Sequence, residues 1–296
     1  MAIAFTFFVL LFGVSGALAE QDGGPPTYHE IKNCEGRRGV AVYYFTNLPF
    51  HRMDLSDICL TGDRTLQAIE PLSDLVLVGQ RDFSDQFEDA SSASTPSKRR
   101  RLNFRSFETK APFGYGQEVG GLQISLGPDR PEKWGAKDYW AKGYAFNKLY
   151  SGPSPTREFQ VNGDLFVVDQ KSQRHGLQRP TFVGALTFEN GRAAATFEDY
   201  GGTSKSMEFS VDLKLSESGN ISGTGTMTFE NQRLTDLESE NFKTARFDFD
   251  RFVGHVVGKD ATEMKIIGIG RGVYVDQTGN ENTIDASVEI SGFVKP

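Results

Sequence analysis

Few side chains in this sequence are spaced for chemistry. Arg271 stands between Gly270 and Gly272, in phase with Ile267, Ile269, Val273 and Val275. On the inner face of a β-barrel, a guanidinium there would offer a bidentate site for a carboxylate or phosphate. The flanking glycines allow another outcome, a bulge that turns the side chain to solvent. His255, beside Gly254, is a second candidate, and a lone histidine is either a proton-handling group or a structural one. Trp134, Trp140 and Tyr144 form a third, among Lys133, Lys137, Asp138 and Lys142. Their rings could stack on a sugar or other flat ligand, or cap the open end of a barrel.

Other chemistries find no support in the spacing. The four histidines lack metal-ligand intervals and two cysteines are too few for zinc, so no metal and no cofactor is expected. No G-x-S-x-G elbow occurs. The string Gly268-Ile269-Gly270-Arg271-Gly272 resembles a nucleotide-binding loop only superficially, since no helix follows it. Asp248 and Asp250 alternate with Phe247 and Phe249 on the polar phase, which marks a solvated face and leaves the catalytic residues unassigned.

The elements that must position these residues are strands. In 207–215 the residues Met207, Phe209, Val211, Leu213 and Leu215 alternate with Glu208, Ser210, Asp212 and Lys214, a period of two with one face in a core. The same alternation runs through Phe159, Val161, Leu165 and Val167, then Phe182, Gly184, Leu186 and Phe188. Asn190-Gly191 then predicts a tight type I′ hairpin. Further strands follow at 221–229, from Ala245 with a bulge near Arg251-Phe252, through Ile267 and Ile269, and from Ile284 to Ile290. About eight strands joined by short turns predict an all-β fold: an antiparallel meander closing into a barrel, or a two-sheet sandwich. The barrel form is the architecture of lipocalins and other calycins and of allene oxide cyclases. The lipocalin G-x-W signature is not found near the first strand, where that family carries it.

Residues 1–19 are uncharged and apolar and end in Ala17-Leu18-Ala19, the pattern of a signal peptide with a small-x-small cleavage site. Secretion, to the extracellular space or a bacterial periplasm, follows as the expectation. In such a compartment Cys34 and Cys59 should form one disulfide. Residues 20–81 then read as a small stapled subregion with strands near 40–45 and 75–78 and a short helix over 63–70. Acidic, then Ser-rich, then basic residues at 82–106 read as an exposed linker, and 107–296 as the β domain. The basic run at 98–101 suits a processing site or a polyanion contact. Asn220-Ile221-Ser222 is an N-glycosylation sequon on a hairpin turn, usable in a eukaryotic secretory pathway.

A net charge of −7 argues against general binding to nucleic acid or to anionic membrane. No later segment is long and apolar enough for a helical membrane span, so no stable insertion is expected after signal removal. The 24 phenylalanines, many on strand phases, suggest a ring-lined interior. The leading expectation is a secreted or periplasmic barrel binding a small apolar or amphipathic ligand through Arg271, Trp134, Trp140, Tyr144 and His255. One alternative is an interaction protein, a lectin, adhesin or host-directed effector, meeting a glycan or protein surface with the aromatic stretch 134–150. A second is a barrel-cavity isomerase, cyclase or lyase.

Overall fold

The computed structural model describes residues 24–47, 50–62, 65–68, 75–81, 84–89, 103–110, 116–126, 139–146, 149–153, 155–169, 175–199, 207–230, 242–258, 260–276 and 278–294. The expected leader at 1–19, the basic run and Trp134 lie outside the described residues. Every described element is a strand, in two assemblies.

The first is a sheet of β1 (Thr27–His29), β2 (Arg37–Asn47), β3 (Phe50–Leu60), β4 (Thr65–Gln67), β5 (Leu75–Arg81), β6 (Ser84–Asp89), β7 (Asn103–Lys110), β8 (Gly116–Leu126) and β9 (Tyr139–Phe146). Its order is β6-β5-β4-β3-β2-β9-β8-β7, with β1 parallel to β3. Two corrections follow. The sheets do not divide at 81 and 106: β6 and the start of β7 fall within the expected linker, and β9 pairs with β2 from Gly39↔Ala145 to Phe45↔Tyr139, so β7–β9 belong to this sheet and not to the barrel. Where a helix was expected over 63–70, Thr65–Gln67 is strand. Leu66 is buried opposite Leu60, and tertiary pairing of that apolar residue overrides the local capping signal. The Cys34–Cys59 disulfide forms as expected and ties the approach to β2 onto the end of β3.

The second assembly is a closed barrel of β10 (Arg157–Asp169), β11 (His175–Phe188), β12 (Arg192–Asp199), β13 (Met207–Leu215), β14 (Asn220–Glu230), β15 (Phe242–Val257), β16 (Glu263–Asp276) and β17 (Glu281–Phe293). Each pairs antiparallel with the next, and β10–β17 pairing closes the ring, so a barrel and not a sandwich is the solution. On β13 the odd residues are all buried, as their alternation requires. Asn190 and Gly191 both take positive φ, 52° and 73°, the type I′ conformation that suits a right-twisted hairpin. The β15–β16 register slips between Asp248 and Arg251, at the expected bulge.

Rings fill the barrel. Phe209 lies 5.0 Å from Phe182, 5.5 Å from Phe197, 5.8 Å from Phe249 and 6.2 Å from Phe252, centroid to centroid. Glycines make the sockets: a Cβ on Gly163 would sit 2.0 Å from Phe182, and one on Gly268 2.4 Å from Phe252. Interior-facing residues of β16 are Met264, Ile266 and Tyr274, which join this ring cluster. Ile267 and Ile269 belong to a different cluster, outside the barrel wall, with Val40, Val42, Tyr44, Met53, Leu55, Phe166 and Val253. The sheet therefore covers one side of the barrel, and β16 is buried on both faces.

Candidate functional site

The two-sided burial of β16 relocates Arg271. Its phase is that of Ile267 and Ile269, which points to the sheet–barrel junction and not into the barrel. The inward orientation considered from the sequence is thus corrected, because an apolar stripe on a doubly covered strand does not say which face is interior. Arg271 makes a forked pair with Asp285, Nε to Oδ1 at 2.7 Å and Nη2 to Oδ2 at 3.3 Å, and Nη2 also donates to the Gly24 carbonyl at 2.6 Å. Asp285 is fully buried, which the paired guanidinium makes tolerable.

Lys265, on the same face of β16, donates to Ser291 Oγ at 2.6 Å and pairs with Glu289. Its ammonium stands 4.1 Å above the ring of Tyr144. The Tyr144 hydroxyl donates to the same Glu289 carboxylate. Burial first, and the Glu289 charge second, push the Tyr144 hydroxyl well above the usual tyrosine range, so it stays a donor. Tyr44 is raised too, by burial and then by Asp285. Strand alternation places all of these: Tyr44 on β2 and Tyr144 on β9 face the barrel, and Asp285 and Glu289 on β17 face the sheet.

His255 lies on the same barrel face, 2% exposed, its ring 5.2 Å from Phe146 in an edge-on contact. Neither Nδ1 nor Nε2 has a hydrogen-bond partner among the described residues. Burial, and then the Arg38 guanidinium, push its pKa down to about 3. It is a neutral imidazole inside an apolar seam.

The N-terminal strap completes the junction. Tyr28 on β1 hydrogen-bonds Asp57 and lies beneath Arg251 of the barrel, 5.2 Å from guanidinium to ring. Ile31 N–H donates to Asp57 at 3.2 Å, and Arg38 stands 4.0 Å from the same carboxylate. Burial raises the Asp57 pKa against these partners. His29 Nε2 meets Asp54 at 3.2 Å on the sheet's other face.

Three of the expected site residues, Arg271, His255 and Tyr144, all lie at the junction, but His255 pairs with Lys265, six residues along β16 from Arg271. Trp140 lies in β9 opposite Tyr44. Asn220 begins β14 at an exposed hairpin, its Nδ2 donating to Ser218 Oγ at 2.9 Å. Sequence reasoning missed Lys265, Asp285 and Glu289. The available signal was charge on the minor phase of apolar strands: Lys265 with Ile267 and Ile269, and Asp285 and Glu289 alternating with Ala286, Val288 and Ile290. Among the described residues no group of three or more His, Cys, Asp or Glu is placed to hold a metal ion.

No family profile matches the chain, and no curated protein matches it. Among solved structures it is similar to the isotype 1 transferrin binding protein B of serogroup B Neisseria meningitidis, with a TM-score of 0.44 and 13% identity over 87% of this chain and 44% of that one. It is also similar to a variant of the vaccine antigen transferrin binding protein B from Haemophilus parasuis Hp5 (0.42, 12%, 87% and 46%). A third structure, described as a surface lipoprotein, gives 0.40 and 12% over 86% of this chain and 98% of that one. The chain spans less than half the length of the two transferrin binding proteins. At such identities and TM-scores the likeness carries nothing about activity or partners.

Proposed function

We propose that this chain is a secreted β protein that recognises a macromolecular surface, a protein or a glycan, and does not house a small molecule in its barrel. The observation that carries this reading is the interior itself, where Phe182, Phe197, Phe209, Phe249 and Phe252 meet ring to ring in the space a small apolar ligand would need. The expected leader and the Cys34–Cys59 disulfide support an oxidising, exported location. Within the aromatic stretch, Tyr144 and Phe146 are committed to the junction, and Trp134 and Trp140 are the rings to test against a partner. In a eukaryotic host Asn220 would carry a glycan, seen as a mobility shift on glycosidase treatment.

The test is a glycan array and an array of extracellular proteins probed with the purified chain, its Trp134→Ala and Trp140→Ala variants, and native mass spectrometry alongside. A specific signal weakened at least about tenfold by either tryptophan variant, which is about 1.4 kcal/mol, is expected. A small molecule retained one-to-one by the native protein, with no array signal, would overturn the reading and restore the ligand-carrier one.

A further inference from the structure

We propose that the sheet–barrel junction is an acid-sensitive joint, and that protonation of His255 opens it. The ring is almost completely buried between β15 of the barrel and Phe146 of β9, with no hydrogen-bond partner on either nitrogen. An imidazolium has two N–H groups to satisfy and a charge to solvate, and neither ring nitrogen meets an acceptor among the described residues.

The surrounding charges do not relieve it. Across β15 the ring's strand partners are Asn220 on β14 and Lys265 on β16. Lys265 is itself cationic and is matched to Glu289. Glu263, also on β16, stands opposite Val257, one pair further along the same face. From the sheet, Tyr144 on β9 gives its hydroxyl to Glu289, and Arg38 on β2 contributes a second positive charge. Of these groups it is the Arg38 guanidinium whose charge acts on the ring, and it opposes protonation.

Linkage fixes the direction. The closed-state pKa, pushed down to about 3, lies below the ordinary 6.5, so the open state binds the proton more tightly. The junction is fully stable above pH 6.5 and loses stability as pH falls below it. At pH 4.5 the opening equilibrium shifts by about 100-fold relative to neutral pH. Opening exposes the apolar stripe of Val40, Val42, Ile267 and Ile269, while the closed barrel keeps its own hydrogen bonds and ring core.

The experiment is an acid titration of the full chain from pH 7.5 to 4.5, followed by fluorescence of the apolar dye ANS and by small-angle scattering. His255→Phe and His255→Gln are titrated in parallel, each checked for fold by far-UV circular dichroism. We expect dye binding and radius of gyration to rise below pH 6.5 in the native chain and to stay flat in whichever variant folds. Glutamine, neutral at every pH, serves if phenylalanine disturbs the seam. A variant that follows the native curve, or a native chain that stays closed and dye-free at pH 4.5, would overturn the proposal.

Discussion

Inside the barrel, Phe182, Phe209, Phe249 and Phe252 meet ring to ring with no polar partner to satisfy. On the other side of the same wall, Arg271, Lys265, Asp285 and Glu289 are enclosed among Ile267, Ile269, Val253 and Tyr44. Both regions are largely buried, but they hold together differently. Ring packing is non-directional and tolerates sliding as long as volume is kept. The forked Arg271–Asp285 pair joins neighbouring barrel strands, and the directional contacts that cross from the barrel, Arg271 to the Gly24 carbonyl and Tyr144 to Glu289, fix how the sheet sits on it, while the interior supplies the larger stabilisation.

Four substitutions would break or sharpen that contrast. Phe209→Ala should cost the most, about 4 kcal/mol from lost burial and the cavity left behind, read as a lower urea midpoint for the whole barrel. Replacing Cys34 and Cys59 by serine should cost on the order of 3 kcal/mol by freeing the 25-residue loop, and should lower sheet stability first. Asp285→Asn leaves Arg271 without its counter-charge. Because that guanidinium is about a quarter exposed, the expected loss is about 2 kcal/mol, smaller than for a fully sealed pair. It should appear as a lower urea midpoint for the barrel that contains both strands. Asp248→Asn, in the solvent-facing pair with Arg246 at 2.9 Å, should leave the denaturation midpoint unchanged. If Asp285→Asn were as silent as Asp248→Asn, the buried charge pair between β16 and β17 would contribute no more than an exposed one.

How much of this was legible in the residues depends on where each side chain's partners lie. Met207 to Leu215 announced its buried face because one side of β13 meets water and the other the core. Asn190-Gly191 announced its turn because only a few residue types accept two positive φ values in succession. The Cys34–Cys59 pair followed from compartment and count. By contrast, β16 is covered on both faces, so its alternation of Ile267, Ile269 and Arg271 carried no sign of inside or outside. The membership of β7–β9 was hidden for a different reason: β9 pairs with β2, far away in sequence, and no local pattern encodes that choice. The same distance hid the junction. Tyr144 meets Glu289, and Gly24 meets Arg271, only after both assemblies exist.

Closure of the barrel carries a consequence for the order of events in the cell. Its first strand, β10, must hydrogen-bond to its last, with Gln160 opposite Phe293, so the ring cannot be completed until nearly all of these strands have been synthesised. Nucleation through such distant partners is slow, because loop entropy is spent before any contact rewards it. Until that last strand arrives, the β10 edge that it covers stays unpaired and open to wrong partners.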